Sequence, residues 1–294
     1  MTTTQYVQSI LENSRPLAAL PTEVAPKLAQ LEGIRAVLFD IYGTLLISAS
    51  GDIGANSGDH RIEALQETLE LFQLSLDCQA SSALQLFAAE IAKSHAAAQA
   101  QGVDYPEVDI VEIWQAALPL MVQGQVPEVD WRRLALEYEV RVNPVWPMPG
   151  VESTLEKLVS GRLVLGIVSN AQFFTPLLFP ALLGKTLVEL GFDQALSYFS
   201  YEHRQAKPGS FLYALAQRQL ESQGIRPAEV LYVGNDMLND VTAAASVGFK
   251  TALFAGDRRS LRLRTDDDRV RGIEPDVVIT ELVQLTECLE SLTT

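Results

Sequence analysis

Apolar positions along the chain follow two rhythms, and the rhythm changes twice. Arg35-Ala-Val-Leu-Phe-Asp40 is a short apolar run closed by an acid and then by Ile41-Tyr42-Gly43-Thr44, which predicts a buried strand running into a turn. Ahead of it the spacing predicts two short helices, over residues 6–12 and 23–31. A Ser/Gly/Asn-rich loop follows over 48–58. From residue 60 to about 141 the period is helical: Ile62, Leu65, Leu69, Phe72 and Leu76 recur three or four apart, as do Leu84, Phe87 and Ile91, then Val111, Trp114 and Leu118. Pro106 and Pro127 stand where helices can begin, so the stretch predicts about four helices and no strand. Pro144-Val-Trp-Pro-Met-Pro-Gly150 reads as the hinge that closes it. Beyond Gly150 strands are predicted over 163–168, 195–201, 230–233, 251–254 and 276–279, with helices near 152–159, 211–223, 241–247 and 281–289. That alternation implies an α/β fold, a doubly wound parallel sheet with an inserted helical unit. The division expected is a core of 1–47 and 148–294 around an insert of 48–147.

Composition narrows the function more than the fold. With 294 residues, 48% apolar and 20% charged, the chain is neither disordered nor collagenous nor a disulfide scaffold. Its formal charge of −15 opposes nucleic-acid backbones and anionic lipid, so neither is an expected partner. The insert holds five basic and fifteen acidic side chains, read as a solvated helical surface. Cys78 and Cys288 form no metal-type spacing, no secretory pattern opens the chain, and no apolar run is long enough to span a membrane. A cytoplasmic protein is expected.

In a parallel sheet, ligands bind at the carboxyl ends of the strands. Four such ends carry polar groups here: Asp40, Ser169-Asn170, Lys207, and Asp236 with Asp240. Each alone reads as a helix cap or a Lys-Pro turn; all four at one edge, in this order, read as a site.

The combination resembles the haloacid dehalogenase (HAD) superfamily. The matching motifs are Asp40-Ile-Tyr-Gly43-Thr44 after a strand, a strand ending in Ser169-Asn170, Ala206-Lys207-Pro208, and Val233-Gly-Asn-Asp236-Met-Leu-Asn-Asp240. They lie within 35–47 and 148–280, and the helical insert matches the superfamily's cap in position. The resemblance implies a Rossmann-like core and Asp40 as a nucleophile that forms a covalent intermediate. It further implies that Thr44, Ser169, Asn170 and Lys207 handle the transferring group. Mg²⁺ would be held by Asp40, the carbonyl of Tyr42, Asp236 and Asp240. The implied activity is phosphatase action on a small phosphorylated metabolite.

Two positions depart from the superfamily pattern. Tyr42 replaces the second Asp that serves as acid and base, and a phenol of ordinary pKa about 10 does not shuttle protons near neutrality. The fourth motif reads Gly-Asn-Asp, so either Asn235 or Asp236 fills its first acidic place; Asp236 keeps both metal ligands and is preferred. Tyr at position 42 also resembles metal-independent 2-haloacid dehalogenases, in which case Arg61 is the one early-insert arginine able to grip the substrate. A non-catalytic phospholigand- or protein-binding role is the second reading, ranked ahead of the dehalogenase.

Other features read as structural. A surface or capping role is expected for His60, His95 and His203 alike, and His60 is the one that could reach the site as a substitute acid. Trp114, Trp131 and Trp146 are expected in packing. Gly184-Lys185-Thr186 lacks the glycine and strand that a phosphate-binding loop needs.

Overall fold

The structure is a computed structural model that describes residues 2–50 and 58–289. Most of the expected 48–58 loop therefore lies outside the described residues. Helix α1 (Thr3–Asn13) comes first, capped by reciprocal bonds between Thr2 and Gln5. Strand β1 (Ala36–Phe39) follows, and its four side chains are buried. The ribbon strands β2 (Leu46–Ser48) and β3 (Val145–Pro147) pair antiparallel and bracket the insert. Between them lie α2 (Gly58–Leu71), α3 (Ala80–Ala100), α4 (Ile110–Ala117) and α5 (Trp131–Val142), the four expected helices. The predicted hinge is thus partly strand, because Trp146 and its neighbours exchange ladder bonds with β2.

After the insert come α6 (Val151–Ser160), β4 (Val164–Ser169), α7 (Thr175–Leu183), β5 (Phe192–Phe199) and α8 (Ser200–His203). Then follow α9 (Phe211–Ser222), β6 (Val230–Gly234), a π-helical turn (Met237–Thr242), α10 (Ala243–Ser246), β7 (Lys250–Phe254), β8 (Val277–Ile279) and α11 (Leu285–Cys288). Six strands form one parallel sheet in the order β5-β4-β1-β6-β7-β8. With β1 central, successive side chains serve opposite faces. Val37 and Phe39 join the core that includes Leu155, Leu158 and Phe179, while Ala36 and Leu38 pack with Leu212, Tyr213 and Ala216 of α9. The insert has its own aromatic centre, where Trp114 is fully buried, with ring centroids 4.6 Å from Phe87 and 5.1 Å from Tyr138.

Three local expectations need correction. Residues 23–31 are extended rather than helical. Lys27 exchanges two backbone hydrogen bonds with Val278 (2.8 and 3.0 Å), and the Leu31 N–H donates to the Cys288 carbonyl. Pro26 removes a helical N–H and biases residue 25 toward extended backbone, and the β8 edge supplies partners. The helix expected over 241–247 begins earlier as the π turn, because the Asp236 carboxylate accepts the N–H groups of Leu238 and Asn239. Helix α7 was not anticipated; Pro180 inside its apolar run masks it, although Pro176 at its start and left-handed Gly184 after it are the usual marks of helix ends. Lys185 beside Gly184 pairs with Glu152 and Glu156, in keeping with a surface role for that segment.

The first helix does more than decorate the core. Ser9 Oγ donates to Glu137 Oε1 of α5 at 2.8 Å, and Tyr6 packs edge-on against Phe173, 6.5 Å between centroids. It therefore touches both the insert and the core.

Candidate active site

Parallel pairing of β1 with β4 and β6 brings three motif-bearing ends together. Asp40 leaves β1 at the sheet edge, its N–H donating to the Val233 carbonyl of β6 at 2.9 Å. Its Oδ1 accepts from Ser169 Oγ at 2.9 Å and from Lys207 Nζ at 2.7 Å. Lys207 Nζ also donates to Asp240 Oδ1 at 2.6 Å and to the Tyr232 hydroxyl at 3.2 Å. Asp40, Lys207 and Asp240 are all buried, so one ammonium serves two carboxylates in a low-dielectric pocket. Burial alone would lower the Lys207 pKa; Asp240 and Asp40 outweigh it and hold it above the ordinary lysine value. Burial pushes Asp240 upward, against the pull of Lys207 and with Asp40 and Asp236 adding to the rise.

Backbone geometry makes room for this cluster. Asp240 Oδ2 accepts the Asp236 N–H at 2.9 Å and lies so near the Gly234 Cα that any side chain there would collide with the carboxylate. Gly43, at φ +83°, sits against Ser260, and a Cβ would also fall 2.8 Å from Asn235 Nδ2.

The remaining expected site residues are placed as follows. Asn170 holds the backbone of Lys207: its Oδ1 accepts the Lys207 N–H at 2.8 Å and its Nδ2 donates to the Lys207 carbonyl at 3.2 Å. Thr44 Oγ1 donates to Asn235 Oδ1 at 3.1 Å. Asp236 lines the same cavity, of about 110 Å³, and its oxygens, like those of Asp240, already accept hydrogen bonds. Arg264 reaches Asp236 Oδ2 with Nη2 at 2.6 Å, and Oδ1 caps the π turn. The preference for Asp236 over Asn235 as a metal ligand thus meets a carboxylate already paired with a guanidinium. Among the described residues no group of three or more His, Cys, Asp or Glu side chains converges as a metal centre. Two carboxylates of the expected set, Asp40 and Asp240, line that cavity together with Tyr42. Such a set suits Mg²⁺, which commonly takes one or two carboxylates and keeps its waters.

Tyr42 stands between this cavity and a second one. Its hydroxyl and Thr175 Oγ1 share a hydrogen bond of 2.9 Å. Burial first, and then Glu139, hold its pKa far above the usual phenol value, so the ring stays neutral. The second cavity, about 380 Å³, lies between the insert and the loop after β4; Phe87, Ile91, Val108 and Phe174 give it an apolar wall, and Arg61, His95 and Glu139 also line it. His95 therefore faces a cavity rather than the surface, and Arg61 belongs here and not to the lining beside Asp40. His60 is likewise absent from the described lining at Asp40.

Burial raises the Glu139 pKa from 4.5 to about 7, against the opposing pull of Asn143 and Arg61. A folded-state value above the unfolded one means that ionisation weakens the fold. Stability from this group is full below about pH 4.5 and is lost as pH rises to about 7. Glu139→Gln is expected to flatten the melting temperature across that window and to stabilise by roughly 1–3 kcal/mol at pH 8. Parallel pH profiles for the two proteins would refute the assignment.

Several contributors carried no readable signal. Tyr232, on β6, donates to the Val168 carbonyl at 2.7 Å and supports Lys207 from below. Ser260 and Arg262, from the loop after β7, form a wall of the Asp40 cavity. A lone Tyr within a strand resembles any core aromatic, and loop arginines resemble solvent-facing ones; the Arg-rich run from 258 to 264 is the only hint.

Residues 34–248 match the family of haloacid dehalogenase-like hydrolases. The chain belongs to that family. As a haloacid dehalogenase-like hydrolase it has the Rossmann-like core and inserted helical cap described above, and it is an enzyme of that hydrolase class. A glyceraldehyde 3-phosphate phosphatase of Pyrococcus furiosus is 26% identical over 179 residues, 54% of this chain; the match spans 66% of that relative, just under two thirds of its length. Among solved structures, a HAD phosphatase from Thermococcus onnurineus aligns with a TM-score of 0.54 at 20% identity, covering 86% of this chain and 97% of its own. A 2-haloacid dehalogenase from Pseudomonas syringae pv. Tomato DC3000 aligns with a TM-score of 0.56 at 18% identity, covering 87% and 97%. These two likenesses concern the fold. Among the described residues no helix is long and apolar enough to cross a membrane.

Proposed function

We propose that this hydrolase is a Mg²⁺-assisted phosphatase of a small phosphorylated metabolite, working in the cytoplasm, with Asp40 as nucleophile and residues 48–147 as its cap. The observation that carries the reading is the convergence of Ser169 and Lys207 on Asp40 Oδ1, with Lys207 tied in turn to Asp240. Both donors meet one oxygen, which leaves Oδ2 to attack phosphorus. The P–O bond to the leaving group breaks as the Asp40–phosphorus bond forms, and the electron pair departs on the leaving oxygen. Water then attacks the phosphorus of the aspartyl phosphate and returns Asp40 as carboxylate. Ser169 and Lys207 orient the carboxylate and stabilise charge on the transferring group. Asn170 fixes the Lys207 backbone, and Thr44 braces Asn235. Asp40, the Tyr42 carbonyl and Asp240 would hold Mg²⁺, which when bound offsets the repulsion between carboxylates and phosphate dianion.

Tyr42 determines which esters should react well. A neutral phenol bonded to Thr175 does not protonate an alkoxide as a carboxylic acid would. Aryl and acyl phosphates, whose leaving groups depart without a proton, are expected to turn over at least about tenfold faster than alkyl phosphates. The measurement is phosphate release from a panel of such esters, with Mg²⁺ and with chelator. Release that ignores chelator would sink the metal assignment, and equal rates for aryl and alkyl esters would sink the role given to Tyr42.

Two observations favour a second reading. Arg264 neutralises Asp236, and Tyr42 supplies no acid, which together suit displacement of halide from carbon by Asp40 without metal. Chloride release from 2-chloropropionate in the presence of chelator would establish it.

A further inference from the structure

We infer that the cavity between the insert and the loop after β4 receives the organic part of the substrate, and that it takes an aromatic body ending in a neutral hydrogen-bonding group, with His95 as the residue that reads that group. This rests on the phosphatase reading and names the substrate class of the same site. The two cavities adjoin. Tyr42 lines both, Asn170 lines the one that holds Asp40, and its neighbours Ala171 and Gln172 line the other. A phosphoryl group at Asp40 can therefore carry its leaving group past Tyr42 into the second cavity.

The insert's side of that cavity is tied to the loops that carry the catalytic motifs. Gln172 Oε1 accepts the Ile110 N–H at 3.0 Å, and its Nε2 donates to the Val108 carbonyl at 2.9 Å. Glu107 accepts from Ser200 Oγ at 2.7 Å and from the Val108 N–H at 2.9 Å. The Glu107 N–H donates to the Arg204 carbonyl and the Ala206 N–H to the Tyr105 carbonyl, at 3.1 and 2.8 Å, so this wall is fastened next to Asn170 and Lys207. The polar groups of the seam thereby hold the cavity's shape, and a wall ordered in advance lowers the entropy cost of gripping a ligand.

Shape and lining point to a ring. At about 380 Å³ the cavity falls toward the lower end of small-ligand pockets, roughly 300–1,000 Å³, which suits a body of one or two rings. Tyr42, Phe87, Tyr138 and Phe174 bring aromatic side chains to it, and Ile91 and Val108 add aliphatic surface, so a polyhydroxylated sugar would leave hydroxyls unpaired there. Charge opposes a second anion. Glu107 and Glu139 set two carboxyl groups in the wall. Burial raises the pKa of Glu139 and of Tyr138, and the Arg61 guanidinium is among the groups that pull both back, so its charge is already shared within the lining. His95 supplies the polar contact. Its Nε2 is buried and has no hydrogen-bond partner among the described residues. In a neutral imidazole that nitrogen either donates or accepts, and a ligand hydroxyl satisfies it in both tautomers.

The test compares three aryl phosphates whose leaving phenols have similar acidity: phenyl, 4-(hydroxymethyl)phenyl and 4-carboxyphenyl phosphate. The native enzyme is expected to favour the hydroxymethyl ester over the carboxyl ester by about tenfold or more in kcat/KM, with phenyl phosphate between them. His95→Phe should bring the hydroxymethyl-to-phenyl ratio to about one through KM, and His95→Gln should keep part of it. Ala135→Leu, which adds bulk to the cavity wall, should lower kcat/KM for all three aryl esters several-fold relative to acetyl phosphate, which has no ring to place. Arg218→Gln, on the remote helix α9, should leave these ratios intact. Calorimetric binding of the product 4-(hydroxymethyl)phenol separates the two claims. Binding to the native enzyme that His95→Phe weakens, without turnover of any ester, would overturn the phosphatase reading and keep the pocket. Turnover of all three aryl esters at equal kcat/KM, unchanged by His95→Phe and by Ala135→Leu, would overturn the pocket and keep the phosphatase.

Discussion

Lys207→Met is expected to remove all measurable turnover and to lower stability by about 3–5 kcal/mol. The lysine ammonium lies 2.7 Å from Asp40 and 2.6 Å from Asp240, and all three side chains are buried. Taking it away leaves two carboxylates facing each other in a pocket from which water is largely excluded. Their options are mutual repulsion or proton uptake, and either weakens the native state at neutral pH. Methionine keeps most of the volume, so packing contributes little to the loss. The double variant Lys207→Met/Asp240→Asn should recover much of the stability, because it removes the charge that lost its partner, yet it should stay inactive. Denaturant midpoints for the native protein, the single and the double variant decide the matter. A single variant as stable as the native protein would show that the ammonium is not what compensates this pair.

Asp40→Asn is expected to reduce turnover by roughly a thousandfold or more while leaving the fold intact. An amide is isosteric with the carboxylate and can still accept from Ser169 and Lys207, but it is too weak a nucleophile to form the covalent intermediate. The same substitution takes away one of the two charges that Lys207 must balance, so its effect on stability should be far smaller than that of Lys207→Met. Activity and denaturant midpoint are therefore expected to separate: a large kinetic loss with a shift of about 1 kcal/mol or less. Retention of native kcat by Asp40→Asn would remove Asp40 from the chemistry and with it both the phosphoryl-transfer and the halide-displacement readings.

The chain's hydrophobic pattern determined the architecture because each period is set by backbone geometry alone. The run before Asp40 can be buried on both faces only in a central parallel strand, and the three-to-four spacing from Ile62 onward can bury one stripe only as helices. Motif order then determined which ends of the strands carry chemistry, since parallel strands deliver Asp40, Ser169 and Asp240 to one edge whatever lies between them. Local chemistry failed where two influences competed. Residues 23–31 have enough apolar spacing for a helix, but Pro26 and an unpaired β8 edge made the extended form cheaper.

Only the tertiary structure decided how charge is distributed at the site. Nothing local distinguishes Asn235 from Asp236 as the residue that opens the fourth motif. Arg264, twenty-eight positions later, pairs with the Asp236 carboxylate, a contact that no local pattern shows. Likewise the sharing of Lys207 between Asp40 and Asp240, the support from Tyr232, the neutral Tyr42 with Glu139 behind it, and the unpaired Ser260 hydroxyl all depend on distances between residues remote in sequence. Sequence periodicity specifies which face a residue occupies; electrostatics and desolvation depend on which groups the completed fold brings within a few ångströms, and no local pattern encodes those separations.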